Sequence, residues 1–314
     1  MKKVLITGAT GFVGQHLTAY LSSKNEFEIF GTSLSDSGSS NNNINLEKID
    51  LLESEEVAKL IEKIKPDFIY HLAAFSSAGD SYANSTKVVL SNVEIQMNIL
   101  NAVKDSDLID TRTLVVSSGE VYGQVDPSDL PLNEDVKLRP VNPYAVSKIA
   151  QDYLALQYNL SYQLKTISVR AFNHTGPFQT TSFAIPAFAK QIAQIEKGQQ
   201  EPLLMVGSLS AKRDFSDVRD IVIGYSRLMD DGLTGETYNI GSGISRSMRE
   251  LLDILLSLTD KKIEIQEDPS KLRPVSVPDV YCDYSKLKKL TGWTPKISIE
   301  KTLQDTLDYW RSVV

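Results

Sequence analysis

Tyr144 and Lys148 stand four positions apart in the run Pro143-Tyr144-Ala145-Val146-Ser147-Lys148. On a helix that spacing puts both side chains on one face. Free tyrosine has a pKa of about 10, too high for ready proton exchange near neutrality. A nearby ammonium favours the phenolate and lowers that pKa. The tyrosine is then suited to give a proton to a carbonyl oxygen as hydride reaches the carbon, or to take it in reverse. A Tyr–Lys contact on a surface helix has the same spacing, so the pair needs context. Ser117 and Ser118 supply some. They lie at the end of the preceding apolar run, where ligand sites gather in open α/β sheets. Ser118 and Ser117 are expected to orient and contact the substrate, although both are also ordinary turn formers.

A second group suits a dinucleotide. Gly8, Gly11 and Gly14 follow the first apolar run and open the first helical one, with Phe12 and Val13 between them. Glycines there let the backbone turn tightly against a pyrophosphate, and the helix N-terminus adds free N–H groups and positive dipole. Asp50 is placed to accept a hydrogen bond from an adenine amino group, next to Leu51; a helix N-cap is the other reading of Asp50. Leu72, Ala73 and Ala74 leave room for the cofactor, or are plain packing. The end of the second strand reads Gly31-Thr32-Ser33-Leu34, with no carboxylate before Asp36. Strict NAD enzymes place Asp or Glu there for the ribose 2′-hydroxyl. Its absence favours NADP(H), although no arginine stands near to attract a 2′-phosphate, and NAD(H) stays open. Thr32 is counted with the cofactor contacts.

These groups need a scaffold, and the hydrophobic pattern supplies one. Strands are expected at Val4–Thr7, Phe27–Thr32, Leu46–Asp50, Asp67–Ala73, Thr113–Ser117 and Lys165–Arg170. Helices alternate with them, starting at Gly14, Ser54, Asn92 and Pro143. Such alternation predicts an α/β fold: a Rossmann-type, doubly wound parallel sheet. After Phe172 the pattern loosens, with helices at Ile185–Lys197, Val218–Met229, Met248–Ser257 and Ile299–Tyr309 and a strand at Thr237–Ile240. We expect residues 1–171, with elements returning at about 214–243, to bind the cofactor. Residues 172–213 and 244–314 are expected to form a smaller, interleaved substrate-binding region.

Composition narrows the partners. The 314 residues carry a net charge of −7, which disfavours nucleic acid and anionic membranes. A phosphorylated substrate therefore needs a local basic cluster. Cys282 is the only cysteine, so no internal disulfide can form, as suits a reducing cytoplasm. The apolar run after Lys2-Lys3 stops at Gly8, too short for a signal peptide, and no later run would span a bilayer. Three histidines and one cysteine suggest no metal site. Ser33–Asn43, rich in Ser and Asn, reads as a flexible surface loop.

The motifs GATGFVG, DL, HLAA, SSGEVYG, NPYAVSK and FNHTGP occur in that order. Together they resemble the extended short-chain dehydrogenase family that modifies nucleotide sugars, over nearly the whole chain. With RDFSDVRD, YNIGSG and LRPVSVPD added, the resemblance is closest to the GDP-4-keto-6-deoxy-D-mannose reductases. It implies reduction of a 4-keto group to give GDP-D-rhamnose. The GDP-mannose 4,6-dehydratases, or another epimerase or dehydratase, are the alternative, and a non-catalytic cofactor sensor is a distant one. The resemblance also implies that Lys148 holds the nicotinamide ribose. It makes Arg213, Arg273 and Asn173 contacts of the substrate diphosphate. Ser276 replaces a glutamate that contacts the nucleotide ribose in relatives. Glu120 matches the dehydratases' acid, but reductases keep one there too, so an active-site role and a structural salt bridge both stay open. His174 belongs to a turn motif and is read as structural. Family members pair through two helices, so a homodimer is expected.

Overall fold

The structure is a computed structural model that describes residues 1–35, 44–76, 78–79, 81–271 and 277–314. In chain order its elements are β1 (Lys2–Thr7), α1 (Phe12–Ser23), β2 (Phe27–Ser33), β3 (Asn45–Lys48), α2 (Ser54–Ile64), β4 (Phe68–His71), α3 (Ser85–Asp105) and β5 (Arg112–Ser118). Then follow α4 (Pro143–Tyr162), β6 (Lys165–Ala171), β7 (Asn173–Thr175), α5 (Ala184–Glu196), β8 (Leu203–Val206), β9 (Lys212–Asp217), α6 (Val218–Asp231) and β10 (Thr237–Ile240). The chain ends with β11 (Ser245–Ser247), α7 (Met248–Ser257), β12 (Glu264–Glu267), β13 (Asp279–Val280), α8 (Ser285–Thr291) and α9 (Ile299–Val313).

Seven strands form one parallel sheet in the order β10-β6-β5-β4-β1-β2-β3. The order reverses at β1, and the crevice above β1 and β4 is where doubly wound sheets take ligands. Each face is sealed by helices whose apolar residues recur at helical spacing. On one face Leu17 and Leu21 of α1 and Ile221, Tyr225 and Leu228 of α6 pack against Val4, Ile6 and Ile29. On the other, Ile61 of α2, Ile99 of α3 and Tyr158 of α4 pack against Leu5 and Ile69. α2 shows why the pattern is legible. Val57, Leu60, Ile61 and Ile64 form its buried stripe, with Glu55 and Glu56 in the first turn and Lys63 in the last, complementing the helix dipole.

A third core joins α5, α7 and α9 over the β8–β12 pair. A small sheet is formed by β11, β9 and β13, with β7 beside β9. Arg213, Asp214 and Phe215 lie within β9, which is paired on both sides. Strands of two to six residues rich in charge carry too little alternation to be recognised alone. The chain rejoins the layers of the large sheet at α6, just after β9. β3 ends at Lys48, so Asp50 lies beyond the strand. Of the Ser33–Asn43 tract, Ser33 belongs to β2, and residues 36–43 lie outside the described residues. Among the described residues no helix is long and apolar enough to cross a membrane.

Candidate active site

α4 is started by Asn142, whose Oδ1 accepts the Ala145 N–H at 2.7 Å, and Pro143 fills the first turn. This sets Tyr144 and Lys148 one turn apart and facing β5. Both are buried, at 9 % and 4 % exposure. Lys148 Nζ donates to the Val116 carbonyl at 2.8 Å and lies 5.8 Å from the Tyr144 ring centre. Burial pulls the Lys148 pKa down to about 7, opposed by the Asp152 carboxylate one turn further on. Burial also raises the Tyr144 pKa, against a hydrogen bond from Ser118 and with repulsion from Glu120 adding to it. This corrects the expectation that the lysine lowers the phenol's pKa. Desolvation of the phenolate dominates, and the ammonium is anchored to the strand. The phenol is protonated at neutral pH, as a free tyrosine is.

The two serines separate. Ser118 lies beside Tyr144 and caps the turn after β5, accepting the Glu120 N–H at 3.2 Å. Ser117 faces into α4 and donates to the Lys148 carbonyl at 3.2 Å. It ties the strand to the helix rather than contacting substrate, because alternate residues of a strand point to opposite faces. Glu120 accepts from Asn142 Nδ2 at 3.0 Å, so one asparagine both caps the Tyr144 helix and holds the acid beside it.

A buried polar web supports this arrangement. Asn92 of α3 donates to Ser147 Oγ at 3.0 Å, and Ser147 donates to the Tyr144 carbonyl at 2.7 Å. Thr7 Oγ1 accepts the N–H groups of Leu72 and Ala73, each at 3.1 Å, so its own proton goes to His71 Nδ1 at 3.0 Å. Burial pushes the His71 pKa down to about 3, consistent with a neutral acceptor. Asp152 accepts from Ser168 and from Arg170 Nε, the latter at 2.8 Å.

The glycine loop fits a dinucleotide. A Cβ on Gly14 would stand 2.3 Å from the Gly8 carbonyl oxygen, and Gly8 itself has φ +69°. No side chain caps the first turn of α1, where Phe12 and Val13 sit behind Gly11. Phe12 stacks its ring on His174 at 5.9 Å, so His174 is a packing residue, in strand β7 rather than a turn. Ala73 backs the loop, 3.2 Å from the position of a Gly8 Cβ, and Ala74 lies at the edge of the adjoining cavity. Thr32 departs from expectation. It is buried and accepts the Gly8 N–H at 3.2 Å, so it holds the loop rather than a ribose. Asp50 is exposed and accepts the Leu52 N–H at 3.0 Å; Glu53, not Asp50, is the N-cap of α2, and Leu51 is buried.

A cavity of about 370 Å³ opens between Ala74 and Phe75 after β4, Asn84 and Lys87 at the start of α3, and Thr180 and Phe183. Val88 lines it and packs on Tyr144. A second recess brings together Glu120, Asn173 and Arg213, three residues read separately from the sequence. Arg213 is braced by the Val277 carbonyl at 2.8 Å. Arg273 and Ser276 lie outside the described residues. Sequence reasoning passed over Asn142, Asn92 and Lys87. Asn before Pro at a helix start is a readable capping signal for Asn142, whereas nothing local marks the other two.

A parallel Rossmann sheet with a Tyr-x-x-x-Lys helix beside the strand-end serine defines an extended short-chain dehydrogenase/reductase. Within that class the chain belongs to the GDP-mannose 4,6-dehydratase family, which it matches over residues 5–306. It is 34% identical to GDP-6-deoxy-D-mannose reductase of Pseudomonas aeruginosa, over 100% of this chain and 98% of that one. It is 29% identical to GDP-6-deoxy-D-talose 4-dehydrogenase of Aggregatibacter actinomycetemcomitans, over 92% and 91% of the two chains. The fold superposes on the NADPH complex of RMD from Pseudomonas aeruginosa with a TM-score of 0.87, at 33% identity and covering 100% of both chains.

Proposed function

We propose that this protein is an NADPH-dependent reductase of the 4-keto group in a GDP-linked 6-deoxyhexose, converting GDP-4-keto-6-deoxy-D-mannose to GDP-D-rhamnose. The observation that carries the reading is the end-to-end match to GDP-6-deoxy-D-mannose reductase. The placement of Tyr144 supports it, because its buried hydroxyl lies within hydrogen-bond reach of Ser118 on the helix that carries Lys148.

Bound NADPH supplies the hydride. Tyr144 delivers its proton to the C4 oxygen, Ser118 orients that oxygen, and Lys148 binds the nicotinamide ribose. Gly8, Gly11, Gly14 and the first turn of α1 take the pyrophosphate, with Leu51, Leu72, Ala73 and Ala74 around the cofactor. Asn173 and Arg213, with Arg273 and Ser276, take the sugar nucleotide. Residues 1–171 and the returning stretch near 214–243 thus serve the cofactor, and the rest serves the substrate. NADH is the weaker cofactor in this reading.

α3 and α4 expose Leu90, Met97, Val146, Tyr153, Leu156 and Leu160. Exposed apolar side chains repeated along two helices that pack together mark an interface, and we assign it to a homodimer in the cytoplasm. A sedimentation measurement giving a monomer would remove that assignment.

Adding freshly made GDP-4-keto-6-deoxy-D-mannose should deplete NADPH stoichiometrically. A flat absorbance trace with both NADPH and NADH rejects the reading. The alternative is a dehydratase that recycles its cofactor; Glu120, held by Asn142 beside Tyr144, is compatible with both. That enzyme would consume GDP-mannose with no net loss of NADPH.

A further inference from the structure

Asp214, in the middle of β9, is a carboxylate with 1 % exposure. Its Oδ1 accepts the Ser242 N–H at 2.7 Å and the Ser242 hydroxyl at 2.5 Å. Its Oδ2 accepts the N–H groups of Gly243 at 2.9 Å and of Cys282 at 3.2 Å. Burial raises its pKa, and these bonds oppose the rise. A charge is kept in such a place only when its acceptor sites are filled in this way. The loop after β10 is shaped around it. A Cβ on Gly241 would stand 2.8 Å from Asp214 Oδ2, and Gly243 has φ +71°.

Three segments meet on this side chain. Ser242 and Gly243 follow β10, the edge strand of the large sheet, and Cys282 follows β13. Arg213, the preceding residue of β9, lines the recess shared with Glu120 and Asn173. It is braced by the segment that Asp214 holds. Arg213 pairs in register with Val280 and donates to the Val277 carbonyl at 2.8 Å, and Cys282 lies two residues beyond Val280.

We propose that Asp214 is a positioning residue for the sugar nucleotide. By holding the loop after β10 and the chain at Cys282, it fixes the strand that braces Arg213, and so aims the guanidinium at the substrate diphosphate. The proposal rests on the reading of Arg213 as a diphosphate contact. A guanidinium fork binds phosphate oxygens in a set direction, so a small rotation of its strand weakens the contact. The glycine loop lies between β1 and α1, to which Asp214 makes none of these bonds, so cofactor binding is spared.

Asp214→Asn keeps the size of the side chain but turns an amide NH2 towards backbone donors. Titration calorimetry with GDP and with NADPH, and steady-state kinetics with the keto sugar nucleotide, test the proposal. Arg213→Ala should weaken GDP by at least about tenfold, and Asp214→Asn by about tenfold, the scale of one charged hydrogen bond. In Asp214→Asn the substrate KM should rise in parallel, with kcat and NADPH affinity within about threefold of wild type. Adding Asp214→Asn to Arg213→Ala should cost little more, because the two changes remove one shared interaction. Ser242→Ala removes only a hydroxyl from Asp214. It should shift GDP affinity the same way by a smaller factor, and it carries the test if Asp214→Asn does not fold. Three results overturn the proposal: GDP affinity unchanged in both variants, losses that add in full in the double variant, or NADPH affinity falling in step with GDP. Undiminished GDP binding in Arg213→Ala would instead remove the diphosphate reading, and the proposal with it.

Discussion

Asn142 donates to Glu120 with one end of its side-chain amide and caps the helix of Tyr144 with the other. The proton donor and the neighbouring acid are thereby held by one residue. Replacing it should affect stability and catalysis separately. Asn142→Ala should lose about 1 kcal/mol of cap and release Glu120. Asn142→Asp should keep the cap but set a carboxylate against Glu120. Thermal melting and kcat together read the two effects. An Asn142→Asp variant with both wild-type melting and wild-type kcat would show that the hold on Glu120 is idle.

Tyr144→Phe removes the hydroxyl from a site already packed around the ring. Reduction should slow by about 10²–10⁴-fold, the usual scale for a lost general acid. NADPH affinity should stay within about twofold, because the ring and its packing on Val88 remain. Single-turnover absorbance and a binding titration check both parts. Unchanged turnover would remove Tyr144 from the role of proton donor.

Lys148 has a folded pKa of about 7, well below the unfolded value of about 10.4. Between those values the unfolded chain binds the extra proton, so stability should rise with pH from about 7 upward. The burial cost is fully present below pH 7. Lys148→Met should therefore be inactive yet gain stability relative to wild type at pH 6, with the gap closing towards pH 10. Denaturant midpoints at several pH values measure this. A gap independent of pH would refute the shift.

Asp152 opposes the fall in the Lys148 pKa. If the ammonium is the working form, kcat/KM should decline on the alkaline side near pH 7, and Asp152→Asn should move that limb to lower pH. Arg170 then loses its buried partner, so the variant is destabilised. Ser168→Ala, which removes only a hydroxyl from Asp152, provides the milder comparison. A limb that stays in place in both variants would detach Asp152 from the lysine.

Gly14→Ala would place a Cβ 2.3 Å from the Gly8 carbonyl. The loop must shift, and NADPH affinity should drop at least about tenfold, as expected when a close backbone approach is lost. A fluorescence titration showing wild-type affinity would dissociate the loop from the cofactor.

Much was legible before any coordinates. The glycine loop, the Tyr-x-x-x-Lys helix and the strand–helix alternation through Ala171 all rest on spacings of a few residues, where backbone geometry alone sets which side chains share a face. The start of α4 at Pro143 and the bounds of α2 follow from local stop and start signals. The later region was less legible, because β9, β11 and β13 are short, charged strands that exist only by pairing with one another.

What the amino-acid sequence determined by itself is the kind of chemistry: a tyrosine and a lysine on one helix face, and a backbone free of side chains at a helix start. What only the tertiary structure decided is where each polar group points. Ser117 turns to the Lys148 carbonyl, Thr32 to the Gly8 amide, and Asp214 to the Ser242 amide. Those partners lie 31, 24 and 28 positions apart, and parallel strands meet only through crossover connections. Periodicity assigns a residue to a face, but register and burial choose its neighbour. Burial also raises the Tyr144 pKa, where its spacing from Lys148 alone points to a lowered one.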